Sequence, residues 1–567
     1  MAQVVRKIKL REQRESEAQR IADSFSLGSV ASRVIAARGY QANDNLKLFL
    51  SPSLKEGLPS PKNLKNLEAA SALIESVVNA GQKIAICCDF DVDGLSGGSQ
   101  LQALFQEIGA TSKVFVPDRF EDGYGLNVGM IEEIVAEGFS LIITVDFGTT
   151  NAKELDRARE LGAKTIVIDH HHVGTNKTPA DIFINPHQEG CGFADKIMSA
   201  AGLAWYTVVG ITRFTKIASN VDPKNYLDLA CLGTICDMVP LVGVNRIIAR
   251  RGLELMESTR RVGLAALKNI VGVKDKVSCH HISFGIGPRI NAAGRMINGD
   301  IVVELLTTDN SKRAASIASR LDRLNKQRQE KEEQIKKKAH SEIEKAGAVP
   351  SGLVLWDSTY HTGVIGLVAQ RLVEAYYRPA AVMGTDKEGI LKGSVRGIPG
   401  FSVVDTLHKL KHLLIKCGGH EGAGGFSVEA SKVEEFAVAF RNECDSVLKN
   451  IEREPTVWAD TEVSLAELKV ATVKELQTFE PFGVGNASPQ LMAKDLTVKE
   501  VTILKGSHLK IQFSDGTRSL VGFLWRQTEH PAVRVGAKVN LVFKPDINTY
   551  NGSSSIQANL QALELQK

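Results

Sequence analysis

Four short stretches of this 567-residue chain set carboxylates and imidazoles at spacings that could hold cations. They are Asp89-Phe90-Asp91-Val92-Asp93-Gly94, Asp146-Phe147-Gly148, Asp169-His170-His171-His172, and Asp237 at the end of Leu232-Gly233-Thr234-Ile235-Cys236-Asp237. Carboxylates crowded together repel one another unless cations neutralise them. Oxygen donors with one or two imidazoles suit Mn²⁺ or Mg²⁺ better than a thiolate-rich set would. Two such ions about 3.5–4 Å apart can clamp the attacking and leaving oxygens of a phosphoryl displacement and lower the pKa of a bound water. Each stretch alone has a blander reading. An Asp-x-Asp-x-Asp-Gly can be a calcium loop or an Asx-capped turn, and an Asp after a strand is commonly a helix N-cap.

The elements around these stretches argue for the joint reading. Apolar runs at 83–88, 113–116, 141–145 and 165–168 predict strands, with helices at 98–108 and 152–161 between them. Short apolar strands separated by helices imply a parallel sheet covered on both faces. Ligands of such a sheet bind outside the carboxyl ends of its strands. Three strands therefore deliver acidic and imidazole side chains to one edge, which unrelated capping residues have no reason to do.

A chain of this length exceeds one hydrophobic core and implies several domains. Residues 1–80 predict a helical segment, and 311–346 one long charged helix. Ala314, Ile317, Leu321 and Leu324 form the apolar stripe of that helix at three- and four-residue spacing. Beyond Leu324 the stripe fades into Lys326, Arg328, Lys331, Lys336, Lys337 and Lys338, which fits either a bridge between domains or a plainly solvated face. A second α/β pattern runs from the strand at 353–356 to about 447. From about 455 a helical opening gives way to β-structure, with Leu509, Ile511 and Phe513 alternating with polar residues and a Gly/Asn/Ser turn at NTYNGSSS. That pattern suggests a small barrel or sandwich. No apolar run reaches the roughly 18 residues of a membrane span. The N-terminus lacks the apolar core of a secretory signal. Eight scattered cysteines without a CxxC pair suit reduced thiols in the cytoplasm. Net charge is only +4, so any polyanion site must arise from local clustering.

In order along the chain, DFDVDG, VDFG, DHH and LGTICDMVPLVGVNR resemble the motifs of the DHH/DHHA1 phosphoesterase family. GPRINAAGR (287–295), GVIGLVAQRL (363–372), SVRG (394–397), GGHEGAGG (418–425) and EPFGVGN (480–486) narrow the resemblance to its single-strand-specific exonucleases. The resemblance runs from about residue 40 to the C-terminus. It implies an α/β multidomain fold: a helical segment 1–80, a DHH domain 81–305 with a parallel sheet, a bridging helix 306–347, an α/β DHHA1 domain 348–452 and an OB-type β-barrel domain 453–567. It also implies a 5′→3′ exonuclease of single-stranded DNA that uses two divalent ions, Mn²⁺ or Mg²⁺. The expected partners are single-stranded DNA with a 5′ end, a single-strand-binding protein and a RecQ-type helicase, with the chain a cytoplasmic monomer.

The resemblance also assigns residues. Asp146 would bridge the ions. Asp93, His170 and Asp237 would complete one site and Asp91 would anchor the other. Related enzymes carry a histidine where Cys87 stands, and Asp89 either replaces that ligand or stands behind the ligands. His171 would donate to the oxyanion at the scissile phosphate, so the catalytic set is His171, Asp91 and Asp146; His172 lies beyond the motif and receives no role. Arg119, Ser394 and Arg396 would hold the terminal phosphate, and His420, with Gly418 and Gly419, would let backbone approach a nucleotide phosphate. Arg289 and Arg295 would contact the strand or serve a domain interface. In the barrel, Phe513, Phe523, Trp525 and Tyr550 are the available rings, most of them expected in the core, and Lys505, Lys510 and Arg518 the available cations. Competing readings are a phosphodiesterase of short oligonucleotides or cyclic dinucleotides, a family II pyrophosphatase, and a non-catalytic DNA scaffold. The C-terminal domain disfavours the first two, the missing histidine at Cys87 also disfavours the second, and the filled acidic positions disfavour the third.

Overall fold

The computed structural model describes residues 6–119, 125–174, 178–386, 389–451, 454–550 and 553–566. Its contacts divide the chain into two compact units. One, here the carboxylate unit, comprises Asp44–Lys326 and Phe479–Ser488. The other, the barrel unit, comprises Met1–Asn43, Gln327–Thr478 and Pro489–Lys567.

The carboxylate unit is built on a five-stranded parallel sheet in the order Ser112–Phe115, Lys83–Cys88, Phe139–Val145, Lys164–Ile168, Ile182–Ile184. Alternate residues of Lys83–Cys88 enter two different cores, Ile84, Ile86 and Cys88 in one and Ala85 and Cys87 in the other. Helices Val92–Glu107 and Ala200–Phe214 pack on the first face, and Val128–Ala136 and Ala152–Glu160 on the second. Burial on both faces is why the central strands read as apolar runs. The first helix begins at Val92, six residues before the expected start. The Asp91 carboxylate caps it, accepting from the N–H groups of Asp93 and Gly94 at 2.9 and 3.2 Å. The run Gly94-Leu95-Ser96-Gly97-Gly98 carries too few apolar side chains to show a helical period.

In the barrel unit, a mixed sheet has the order Lys416–Gly419, Ala423–Val428, Leu391–Arg396, Ala380–Thr385, Leu353–Asp357. Its last pair is parallel and the others antiparallel. Leu491–Leu504, His508–Ser514, Ser519–Leu524, Ser553–Leu565 and Lys538–Tyr550 close into a five-stranded barrel through pairing of the first with the last. The long helix spans Ser311–Lys345. Its apolar stripe resumes in the second half, where Ile335, Ala339 and Ile343 are buried among the mixed-sheet core at four-residue spacing. The dense lysines around them mask that stripe in the sequence.

The first 80 residues contain the helices Glu15–Phe25, Ser29–Ala37, Asp44–Leu50 and Leu67–Asn79, but also a strand, Lys7–Leu10. That strand pairs in parallel with Thr456–Ala459, a segment expected to be helical. Residues up to Asn43 thus belong with the barrel unit, and those from Asp44 with the carboxylate unit. Buried Asp460 ties the two ends of the barrel unit, accepting from Arg38 Nε and Nη2 at 3.0 and 2.8 Å and pairing with Arg11 at 3.2 Å.

Candidate metal centre and strand-binding residues

Each acidic stretch is held by a specific local device. Asp89 leaves its strand with its N–H donating to the Val145 carbonyl at 3.3 Å. A Cβ at Gly94 would lie 2.6 Å from the backbone N and O of Asp89, so only glycine permits the helix to start that close. The Asp93 carboxylate sits at the N-terminus of helix Ala200–Phe214, accepting from Ala200 and Ala201 at 2.7 and 2.9 Å. Exposed N–H groups and the helix dipole both favour a negative charge there. Asp146 has a φ of 71°, a left-handed turn at the strand end, and Asp237 is the C-cap of helix Leu227–Cys236.

The result brings together carboxylates from three segments and imidazoles from a fourth. Oxygens of Asp89, Asp91 and Asp146 lie within 4.8 Å of one another, and so do ligand atoms of Asp93, His170 and Asp237. His170 Nε2 stands 3.1 Å from Asp146 and 3.9 Å from Asp93, with Nδ1 3.8 Å from Asp237. Ligand atoms of Asp146, His170 and His171 also lie within 4.8 Å of one another. The donor set is oxygen-rich with imidazole, which suits Mn²⁺ or Mg²⁺. Cys87 is fully buried behind it, and burial pushes its thiol up to about 12, so it offers no thiolate.

The imidazoles differ in state. Burial and the neighbouring His171 push His170 down to about 4, leaving it neutral and able to donate a lone pair to a cation. His171 is held the other way. Its Nδ1 lies 2.7 Å from Asp169, and that hydrogen bond raises its pKa. Burial alone would lift Asp169, but hydrogen bonds from His171 and Thr149 outweigh it and keep Asp169 well below the usual carboxylate range. Asp169 also accepts from the N–H groups of His170, His171 and Thr149 at 2.8, 3.1 and 3.0 Å. Sequence reasoning gave Asp169 no role, although it opens the Asp-His-His stretch. Asn185, whose amide donates to the His171 carbonyl at 2.9 Å, carried no signal in the sequence.

Four carboxylates of the cluster resist ionisation. Burial and repulsion from Asp91 raise Asp93 to about 7, and burial with repulsion from Asp93 and Asp91 raises Asp237 to about 9. Burial and neighbouring carboxylates push Asp89 and Asp146 well up as well. An acid whose pKa is higher folded than unfolded stabilises the fold below its unfolded value, near 4, and loses that contribution as pH rises through the folded value. Metal-free protein should therefore lose stability as pH rises from about 4 through the Asp93 and Asp237 values, and a divalent cation should restore it. Melting temperatures with Mg²⁺ and with EDTA are expected to lie further apart at about pH 8.5 than at about pH 6; an equal gap would contradict this account.

Outside the cluster, Arg119 is surface-exposed with its guanidinium 5.1 Å from the Phe90 ring, and it is attracted by Asp89 and Asp91. The rest of its expected motif, residues 120–124, lies outside the described residues. Arg289 is committed within the fold, bonding Asp322 of the long helix at 2.9 Å and the Gly285 carbonyl at 2.8 Å. Arg295 is half-buried on the same helix, Gly287–Met296. Asn291 of that helix accepts from the Val92 N–H at 3.2 Å and so braces the acidic loop, another role the sequence did not suggest.

In the barrel unit, Ser394 and Arg396 pair across the sheet with Gly425 and Ala423. The Arg396 guanidinium donates to Ser394 Oγ at 2.9 Å. His420 is exposed, its N–H donating to the Ala423 carbonyl at 2.8 Å, so these residues share one corner of the mixed sheet. Gly419, at φ 152°, has no room for a Cβ, which would meet Ala423 O at 2.4 Å. On the barrel, Phe513 is buried, whereas Trp525 is 50% exposed and stacks on Phe523 at 5.3 Å with His508 at its edge. Phe523, Lys510 and Arg518 line one groove of about 730 Å³. Lys505 is exposed, and the Tyr550 ring lies outside the described residues. His172 packs against His187, ring centres 4.9 Å apart. Among the described residues no helix is long and apolar enough to cross a membrane.

A parallel sheet whose strand ends carry this carboxylate and imidazole edge defines a DHH-type metal phosphoesterase. The DHH family, N-terminal domain, matches residues 83–234, the DHHA1 domain residues 350–446 and the RecJ OB domain residues 459–562. The chain belongs to the RecJ family. It is 31% identical to the single-stranded-DNA-specific exonuclease RecJ of Escherichia coli over 547 residues, 93% of this chain and 94% of that one. With the RecJ of Bacillus subtilis it shares 30% over 549 residues, 96% of this chain and 69% of that one. The crystal structure of Thermus thermophilus RecJ in complex with Mn²⁺ superposes with a TM-score of 0.86 at 27% identity, covering 100% of this chain and 80% of that one. A Mg²⁺ complex of the same protein gives 0.80 at 26%, covering 100% and 79%.

Proposed function

We propose that this chain is a single-strand-specific DNA exonuclease acting 5′→3′, which hydrolyses phosphodiester bonds with two divalent ions, Mn²⁺ or Mg²⁺, and releases 5′-mononucleotides in DNA repair and recombination. The observation that carries the reading is the pair of adjacent ligand groups, Asp89–Asp91–Asp146 and Asp93–His170–Asp237, in a chain that aligns along nearly its whole length with such exonucleases. When bound, the two ions supply a low-pKa water and clamp the attacking and leaving oxygens.

The residues do the rest. Asp146 reaches both groups, and Asp89 joins Asp91 as a direct ligand. Neutral His170 offers a lone pair, and His171, oriented and kept basic by Asp169, donates to the non-bridging phosphate oxygen as charge builds there. Arg289, bonded to Asp322, braces the fold; Arg295 is assigned to the strand's backbone, His420 to a nucleotide phosphate, and Arg119, Ser394 and Arg396 to the 5′-terminal phosphate. The Arg fork suits such a dianion. Phe523 and Trp525, with Lys510 and Arg518, extend the grip on the strand through stacking and charge. Replacement of Arg396 by Ala is expected to reduce the preference for 5′-phosphorylated over 5′-hydroxyl ends by about 10- to 100-fold, the worth of a charged hydrogen bond. An unchanged ratio of kcat/KM for the two ends would remove Arg396 from this role.

All eight cysteines are free thiols, as a reducing compartment keeps them, and we place the enzyme in the cytoplasm. By family membership alone, it works as a monomer alongside a single-strand-binding protein and a RecQ-type helicase. The deciding experiment follows release of label from 5′-labelled single-stranded and duplex DNA with Mn²⁺. Mononucleotides from single strands only are expected. Cleavage confined to di- to pentanucleotides would favour the short-substrate enzymes, and binding without cleavage a scaffold.

A further inference from the structure

Among the described residues, four of the five exposed large apolar side chains of the carboxylate unit lie in segments that are bonded to one another: Ile197 at 57%, Met238 at 67%, Val242 at 38% and Val484 at 41%; the fifth is Phe284, beside His280. The four come from three segments far apart in the chain, and hydrogen bonds pin those segments together. The amide of Asn245, 3% exposed, donates to the carbonyls of Ile197 and Pro240 at 2.6 and 3.0 Å. The Leu241 N–H donates to the Val484 carbonyl at 2.7 Å. Grouped exposed apolar residues mark a contact surface more often than scattered ones do.

The surface adjoins the metal centre at two points. Met238 follows Asp237 directly, and Ile197 precedes Met198, whose backbone bonds the His170 ring. Met238 also holds a φ of 62°, a left-handed conformation that costs a residue with a Cβ about 1 kcal/mol or more. Such strain beside a functional group is a common mark of a shaped site.

We propose that Ile197, Met238, Val242 and Val484 form an apolar shelf that takes the face of a nucleobase next to the scissile phosphate. The inference rests on the nuclease reading above. A phosphate held by the ligands carries its base only a few bonds away, and the flat apolar face of a base is what such a shelf fits. Every base has that face, so the contact is indifferent to sequence. In a duplex those faces are already stacked, so the shelf also favours single strands.

The test measures KM and kcat on an oligothymidylate and on the same strand with abasic residues at its first two positions. The variants are Met238→Gly, which keeps the left-handed backbone accessible, Ile197→Ser, and the conservative Met238→Leu. For the native enzyme the abasic strand is expected to raise KM about tenfold. Met238→Gly and Ile197→Ser are expected to raise KM about tenfold on the normal strand and little further on the abasic one, with Met238→Leu near native. Independent, multiplying effects would overturn the shelf, as would unchanged KM on both strands, which would mean another occupant such as a protein. Weakened Mn²⁺ binding by calorimetry, with equal losses on both strands, would reduce Met238 to a structural role and overturn it too. Failure of the native enzyme to cleave either strand would instead reject the nuclease reading.

Discussion

Replacement of Asp146 by Asn is expected to lower kcat for metal-dependent strand cleavage by at least about 10³-fold, a loss near or above 4 kcal/mol of transition-state stabilisation. Asp146 is the carboxylate common to two of the candidate ligand groups, and His170 of the remaining group stands 3.1 Å from it. Its loss therefore disturbs both ion positions at once. Asn is the informative replacement because it tolerates the left-handed φ of 71° better than Ala, so backbone strain does not confuse the result. The same variant should bind fewer than two Mn²⁺ by calorimetry. It should also melt higher than native protein without metal, by a few degrees, because burial and four neighbouring carboxylates oppose the Asp146 charge. Near-native cleavage with Asn at this position would refute the proposed centre. Lost cleavage with unchanged Mn²⁺ stoichiometry would reassign Asp146 from ligand to proton or substrate handling.

Arg246→Met is expected to destabilise the carboxylate unit by about 3–5 kcal/mol, seen as a fall of roughly 8–16 °C in its melting temperature. Arg246 is only 2% exposed. Its guanidinium donates to the carbonyls of Phe49, Phe479, Glu480 and Pro481 at 2.9, 2.9, 3.1 and 3.4 Å, and lies 4.0 Å over the Phe49 ring. Methionine fills similar volume but leaves buried carbonyls without those donors, at about 1–3 kcal/mol each. Arg246→Lys, with a point charge and no planar fork, should fall between the two. Hydrogen exchange should localise the opening to 479–488, a segment that reaches the carboxylate unit from far along the chain. A melting change under about 2 °C would mean that these bonds form mainly with water in the absence of Arg246.

Much of the centre was legible locally. The central strands of the parallel sheet are short apolar runs because both their faces are buried, and three of the four acidic stretches follow such a run in the sequence. The start of helix Val92–Glu107 was less legible, because its glycines carry no apolar period and Asp91, its N-cap, reads equally as a cation ligand. The barrel rings show the same limit. Alternation marked the strand that buries Phe513, but it could not say that Trp525 stands half-exposed in a stack with Phe523. Burial of a ring at a strand end depends on what covers that face.

The sequence by itself determined the ligand types, the strand ends that present them and the order of domains, because these depend on residue chemistry and on periods of two to four residues. The tertiary structure alone decided that Lys7–Leu10 pairs with Thr456–Ala459, that Arg38 meets Asp460 and that Arg246 collects the carbonyls at 479–481. It also decided that Asp169 holds His171 and that Asn245 gathers an apolar surface beside Asp237. Pairings between distant segments follow from the packing of whole elements, and a local stretch of sequence carries no record of what will pack against it.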